Sequence, residues 1–271
     1  MRGIVIAVAV ALSASAASAQ ENVSIPFAPG LPAHYAISET RTIGDDDAQH
    51  ITHTTYSLEL RAPSDGEGAF DATLTVVSTD GSGLNIGDEN ALLVDFPVLL
   101  SLEDDGGLRR VLNWEDVRAE WLRRRRRSEG SEDVDSPGWL NAGPERGAFF
   151  LGAPLSALEP CHKIDLPIGA PSTRTRETPA PPGVRVTRTA RELRAVDREA
   201  GTARIRFERS DEVHLESASE PPIYSSSMQV ECVVDLRSGV ARSGTMEMTI
   251  ASGSPTESSS TMRFEITVTP Q

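Results

Sequence analysis

Apolar and polar residues alternate along several stretches of this chain, and this pattern limits its fold more than any other feature. In the segment 54–60, Tyr56, Leu58 and Leu60 take every second position. A strand of this kind turns one face to the core and the other to water, which is typical of antiparallel sheets. Gly-containing turns such as 104–107 and 235–239 separate the stretches. The sequence therefore predicts a mainly β chain with a long antiparallel sheet. The other alternating segments are 70–76, 203–207, 228–236, 246–250 and 262–268.

One segment departs from this pattern and predicts an amphipathic helix. It starts at Asn113, a residue type favoured as an N-cap, and ends with the arginines 123–127. Glu115 and Asp116 place negative charge on the first turn, and the arginines place positive charge on the last, which suits the helix dipole. Its apolar residues fall on one stripe at helical spacing, and we expect this stripe to pack across the sheet as a ligand-facing or lid-like surface. The stripe consists of Trp114, Val117, Trp121 and Leu122.

Five consecutive arginines are also typical of a nucleic-acid or anionic-membrane contact. The net charge of −14 opposes this interpretation, because an acidic protein repels polyanions. Glu129, Glu132, Asp133 and Asp135 follow the run directly and can neutralise it. The sequence therefore favours a solvated helix end followed by an acidic loop, with no nucleic-acid partner.

The first nineteen residues have the pattern of a secretory signal. Arg2 precedes an apolar run at 4–12, and Ala-Ser-Ala follows at 17–19. We expect cleavage before Gln20, because the apolar run is shorter than the roughly 20 residues of a membrane-spanning helix. A retained N-terminal anchor is the alternative. No later stretch is long and apolar enough to span a bilayer, so a soluble periplasmic or secreted protein without a transmembrane segment is predicted, with a Gram-negative bacterium as its source.

Two cysteines, Cys161 and Cys232, are present. In an oxidising compartment such a pair indicates a disulfide, and the alternation around Cys232 points its sulfur into the core. The alternative is a pair of buried free thiols, which would require Cα atoms more than about 7 Å apart.

The strands fall into two halves, about 34–127 and 184–270, within one β-rich domain at 20–271. Seven prolines lie between positions 154 and 182. They predict that the Pro/Gly-rich segment joining the halves holds little regular structure. The halves are of similar length, and a duplication is open as an alternative.

The hairpin 98–112, the helix beginning at Asn113 and the late turn 235–239 together resemble a family of uncharacterised exported β-rich proteobacterial proteins. In general form the chain is similar to the half-barrel lipoprotein carriers of the LolA and LppX type. This resemblance implies a curved sheet bent into a trough, a helix lying across its concave side, and a lipid or lipoprotein ligand. The two cysteines, the arginine run and the proline-rich segment depart from the carrier pattern.

Motifs for catalysis or cofactor binding are missing from the sequence, so no catalytic, cofactor or metal residue is assigned. The acidic turns 45–47 and 80–90 leave calcium binding open as an alternative to solvated hairpin tips. The favoured function is a non-catalytic envelope protein that binds an apolar ligand or a partner protein in the concavity of its sheet. The alternatives are a structural or assembly factor of the envelope and an enzyme with a dispersed site. A trough with free space would favour ligand binding, and a filled trough would make the helix a plug of the core.

Overall fold

A computed structural model describes residues 21–45, 48–64, 68–81, 91–131, 137–180, 183–215, 222–252 and 260–271. Within these ranges the chain forms thirteen strands, three α-helices and three short 3₁₀ turns. The strands are β1 (Asn22–Ile25), β2 (Ala33–Asp45), β3 (Ala48–Arg61), β4 (Phe70–Gly81), β5 (Pro97–Leu102), β6 (Leu108–Val111), β7 (Ile164–Pro167), β8 (Ser172–Ala180), β9 (Gly183–Asp197), β10 (Thr202–His214), β11 (Tyr224–Asp235), β12 (Ala241–Ser252) and β13 (Ser260–Pro270). The helices are α1 (Trp114–Glu129), α2 (Pro144–Leu151) and α3 (Ala153–Leu158).

Eleven of these strands form one antiparallel sheet in the order β6-β5-β4-β3-β2-β13-β12-β11-β10-β9-β8. The strands β2 to β6 make one meander toward one edge, and β8 to β13 make a second meander that starts at the other edge. The two meanders join where β2 pairs with β13, for example at Ile37 and Val268. The sheet is curved and not closed, so the predicted fold class is confirmed. The strands β1 and β7 pair separately in a small sheet.

The core lies on one face of the large sheet, which we call the inner face. It carries the side chains that alternation predicts, among them Ile37, Leu58, Leu74, Cys232 and Ile266, all of them buried. Neighbouring strands place these residues in register, because each antiparallel pair keeps inward residues opposite inward residues.

The chain between β6 and β8 forms the helical layer that covers part of the inner face. The prediction of little regular structure in this segment is wrong, because α3, β7 and β8 lie within it. Pro144 is the first residue of α2 and Pro154 the second of α3. At these positions proline favours a helix, because the backbone N–H that it lacks has no partner within the helix.

Helix α1 confirms the predicted helical segment but begins differently from expectation. The side chain of Asn113 makes no capping hydrogen bond. Its Oδ1 instead accepts from the backbone N–H of Leu99, and its Nδ2 donates to the carbonyl of Pro97, each at 2.9 Å. Asn113 therefore fixes the start of α1 to β5. The helix ends at Gly130, whose φ of 66° is the left-handed conformation common at helix ends. Among the described residues, no helix combines the length and the apolar composition needed to cross a membrane.

Candidate functional site

The candidate site is the part of the inner face that the helical layer leaves uncovered. Leu158 of α3 packs over Gly244 so closely that a β-carbon at this position would lie 2.6 Å from its Cδ2. Farther along β12 from Gly244, the inward residues Met246 and Met248 are half-buried, and Ile250 is 36% exposed. Burial therefore decreases along the strand, and the cover ends near the level of Met246.

Four methionines occupy this region, and we call them the methionine surface: Met228, Met246, Met248 and Met262. Met248 of β12 lies directly opposite Met228 of β11 on one side and Met262 of β13 on the other. Met246 lies one step closer to the core, between Val230 and Phe264. All four methionines are half-buried. Three adjacent strands therefore present thioether side chains on one continuous surface.

Two ion pairs flank the methionine surface on its own face of the sheet. On one side Arg41 lies 5.0 Å from the ring centre of Phe264 and 3.1 Å from the carboxylate of Glu39, which is buried. Tyr56 donates its hydroxyl to Glu39 at 3.3 Å. Burial raises the pKa of Tyr56, and the negative charge of Glu39 raises it further. The tyrosine therefore stays protonated and available as a donor.

On the other side Arg209 contacts Asp211 at 2.6 Å, and Thr187 donates its hydroxyl to the same carboxylate at 2.6 Å. Burial raises the pKa of Asp211, but the hydrogen bonds from Arg209 and Thr187 outweigh burial and lower the pKa below its ordinary value. Both arginines that border the methionine surface are thus balanced by a carboxylate.

Beneath the helical layer, between sheet and helices, lies a cavity of about 30 Å³ that is lined by Tyr35, Leu102, Leu158 and His162 among others. This volume suits one water molecule and excludes a lipid chain or a drug-sized substrate.

Titratable side chains with shifted pKa values lie next to this cavity. Burial lowers the pKa of His162 to about 4, and its ring stacks on Phe27 at 4.4 Å. Burial raises the pKa of Glu159 and lowers that of Arg191. Arg191 donates from Nη2 to the carbonyl of His162 at 2.8 Å and from Nε to that of Pro160 at 2.7 Å. This cluster holds the chain on both sides of Cys161, and the adjacent cavity is too small for a substrate.

The apolar stripe of α1 lies away from the methionine surface. Trp114, Val117 and Trp121 are buried and Leu122 is half-buried. Both tryptophans pack edge-on against Trp139, at centroid distances of 6.0 and 6.2 Å. Helix α1 packs beside the 3₁₀ turn Ala91–Leu93, between β4 and β5. The structure therefore does not bring the tryptophans together with Met228 and Phe264.

The arginine run at the end of α1 is partly neutralised within the helix. Arg123 and Arg124 both bind Glu120, and Arg125 binds Glu129. The hydrogen bond from Arg123, together with Arg124, lowers the pKa of Glu120 to about 2. The other acidic residues expected to balance the run, at positions 132, 133 and 135, lie outside the described residues, as do the signal segment and most of the acidic turns 45–47 and 80–90.

The predicted cysteine pair comes together. The Cα atoms of Cys161 and Cys232 lie 6.2 Å apart across a sequence separation of 71 residues, at disulfide distance. The pair ties the end of the helical layer to β11.

The sequence analysis identified neither the methionine surface nor the buried Glu39. Five methionines occur in the chain, and four of them fall in three successive alternating segments on the same phase. This concentration of methionine at inward positions could have indicated the surface from the sequence. Glu39 occupies an inward position, two residues after Ile37.

Comparisons with known proteins give no family for this chain. No protein-family model matches it, and no curated protein matches it. Among solved structures it is similar to one described as "Lipid-protein interactions in lipovitellin", with a TM-score of 0.47 and 10% identity. The match covers 90% of this chain and 25% of that chain, so this chain spans a quarter of the length of its neighbour. No family or homologue name supports the resemblance to proteobacterial proteins or to carriers of the LolA or LppX type.

Proposed function

We propose that this protein is a non-catalytic exported binding protein that holds an apolar ligand, an acyl chain, on the methionine surface. The observation that carries this proposal is the uncovered, half-buried apolar surface on the inner face of the sheet. Its side chains continue the core beyond the level at which α3 stops covering it.

Two properties of the surface support an acyl chain as the ligand. Methionine is unbranched and has three rotatable bonds, so it adapts to a flexible apolar partner better than β-branched residues do. Apolar burial contributes about 0.8 kcal/mol for each methylene removed from water, so a chain lying across three strands gains affinity without a specific polar contact. The ion pairs at Arg41 and Arg209 provide a polar border on each side.

Export is part of the same proposal. The cysteine pair at disulfide distance is compatible with an oxidising compartment. With the signal pattern at 1–19, it supports a mature protein that begins at Gln20 and acts in the periplasm or outside the cell.

A partner protein is the second candidate ligand, and one observation favours it. Phe149 and Phe150 on α2 are exposed and pack edge-on against each other. Exposed aromatic pairs are frequent anchors of protein interfaces. This surface would suit an envelope assembly factor rather than a lipid carrier.

The test compares two isoleucines of similar exposure on opposite faces of the sheet. Ile250 lies on the inner face beside Met248, and Ile51 of β3 lies on the outer face; they are 36% and 39% exposed. Phenylnaphthylamine, an uncharged apolar fluorophore, should bind the mature protein and be displaced by palmitate. Ile250→Glu should weaken binding at least tenfold, about 1.4 kcal/mol. Ile51→Glu should change it less than twofold.

Circular dichroism and urea unfolding of both variants would check that they fold equally well. A wild-type protein that binds neither probe would contradict the proposal. Equal loss of binding in both variants would also contradict it, because the ligand would then not lie on the inner face.

A further inference from the structure

The inward residues of β11 and β13 change type where the helical layer ends. In the covered part β11 carries Val234, Cys232 and Val230, and the next inward residue is Met228. In β13 the inward sequence is Val268, Ile266 and Phe264, followed by Met262. Strands favour β-branched and aromatic residues, so strand formation itself does not call for methionine at these positions. Besides its flexibility toward an apolar ligand, methionine provides a thioether sulfur that can bind a soft metal ion.

From this arrangement, we infer that Met228, Met248 and Met262 form a binding site for a soft monovalent metal cation, Cu(I). The inference shares a surface with the proposed apolar ligand but does not depend on it, because it rests on the thioether sulfurs and not on apolar area. Thioethers are uncharged, soft ligands that select Cu(I) over hard divalent ions such as Mg²⁺ and Ca²⁺.

The register places the three methionines side by side on adjacent strands and on one face of the sheet. Met228 and Met262 lie on either side of Met248 as directly paired residues. Adjacent strands are about 4.8 Å apart, so the outer two Cα atoms lie roughly 10 Å from each other. Each methionine side chain can lean toward the central strand through its three rotatable bonds. Met246, two residues from Met248 on the same strand and face, is within reach as a fourth thioether.

The charges around the row formed by Met228, Met248 and Met262 permit a cation. Across the sheet, the row continues to Arg209 beside Met228 and to Ile43 beside Met262. Arg209 is paired with Asp211, and Arg41, near Phe264, is paired with Glu39, so neither arginine contributes a net positive charge. The protein as a whole carries a net charge of −14, which attracts cations.

Harder metal ligands do not form a competing site in the described part of the chain. Among the described residues no group of three or more His, Cys, Asp or Glu side chains could hold a metal ion. Both cysteines are engaged with each other at disulfide distance, so thiolates do not compete for the soft cation. His50 of β3 lies opposite Ile43 in the same cross-strand row, two strands beyond Met262.

The experiment uses Ag(I), a redox-stable soft cation, added as nitrate to the mature protein in chloride-free buffer. Calorimetry and native mass spectrometry should find one tightly bound Ag(I) per chain. Anaerobic competition with bicinchoninate should show the same stoichiometry for Cu(I). Binding should be unchanged between pH 5.5 and pH 8, because thioethers do not titrate, whereas histidine ligands would lose the metal at the acidic end.

The matched variant replaces Met228, Met248 and Met262 by leucine, which preserves apolar volume and removes only sulfur. It should bind Ag(I) at least 100-fold more weakly, and circular dichroism would check that it folds. The single variant Met248→Leu, checked by circular dichroism, should lose at least tenfold and keeps the test valid if the triple variant does not fold. Ag(I) binding that is absent in the wild type, equal in the leucine variants, or lost at pH 5.5 would overturn the inference. A wild-type protein that binds Ag(I) but not the fluorophore would count against the proposed function and not against the cation site.

Discussion

Replacing Trp121 by alanine tests whether α1 is a fixed part of the core or a mobile lid. Trp121 is 3% exposed and packs edge-on against Trp139. Removing a buried aromatic side chain typically costs 3 to 5 kcal/mol, the sum of lost transfer energy and the cavity left behind. The indole Nε1 is buried without a hydrogen-bond partner among the described residues. Removing this unpaired donor stabilises the fold slightly and offsets part of the lost packing energy. We therefore expect Trp121→Ala to lower the free energy of unfolding by about 3 kcal/mol.

Urea unfolding, followed by far-ultraviolet circular dichroism, gives this free energy for wild type and variant. Two controls separate packing from other effects. Trp121→Phe keeps an aromatic ring and should cost about half as much or less. Phe149→Ala removes a side chain that is 64% exposed and should change stability by less than about 0.5 kcal/mol.

A cost below about 1 kcal/mol for Trp121→Ala would refute the fixed-core interpretation. It would mean that α1 separates from the sheet at little cost, as lids do. The same tryptophans would then belong to a ligand-facing surface, as the sequence predicted for Trp114, Val117, Trp121 and Leu122.

Two further predictions follow from the Cys161 and His162 region. Thiol titration of unfolded, unreduced protein should find no free thiol, and two free thiols would contradict the disulfide. The double variant Cys161→Ser/Cys232→Ser should be less stable by about 4 kcal/mol, because the bridge closes a loop of 71 residues. The pKa of His162 is lowered to about 4 in the folded protein, so the unfolded chain takes up the proton first as the pH falls below about 6.5. The free energy of unfolding should therefore decrease by about 3 kcal/mol as the pH falls from 6.5 to 4. Urea unfolding at several pH values should show that His162→Phe lacks this decrease. An identical pH profile for wild type and variant would show that His162 is accessible to solvent.

The strands could be predicted from the sequence because alternation is a local property. The alternation around Leu58 and Leu74 predicts their inward direction without information from any other strand. The candidate site could not be predicted in this way, because the alignment of Met228, Met248 and Met262 depends on the register between strands. Register follows from turn geometry and from pairings distant in sequence, such as β2 with β13.

Helices α2 and α3 were missed for a different reason. Pro154 was interpreted as reducing regular structure, but it lies in the first turn of α3, as Pro144 does in α2, and proline is well tolerated there. Asn113 was expected to cap α1, yet its side chain finds better partners on β5. In both cases a residue has two favourable uses, and only the tertiary contacts choose between them.

The pairing of β2 with β13 has a consequence for how the chain is made. The first strand of the large sheet and the last one lie side by side at its middle. During synthesis from the N-terminus, β2 exposes an unpaired edge until nearly the whole chain has emerged. Such an edge is a template for aggregation or for exchange with a second molecule. The large sheet is complete only when Ser260–Pro270 arrives, so a nascent or C-terminally shortened chain would expose the edges of β2 and β12 to its neighbours.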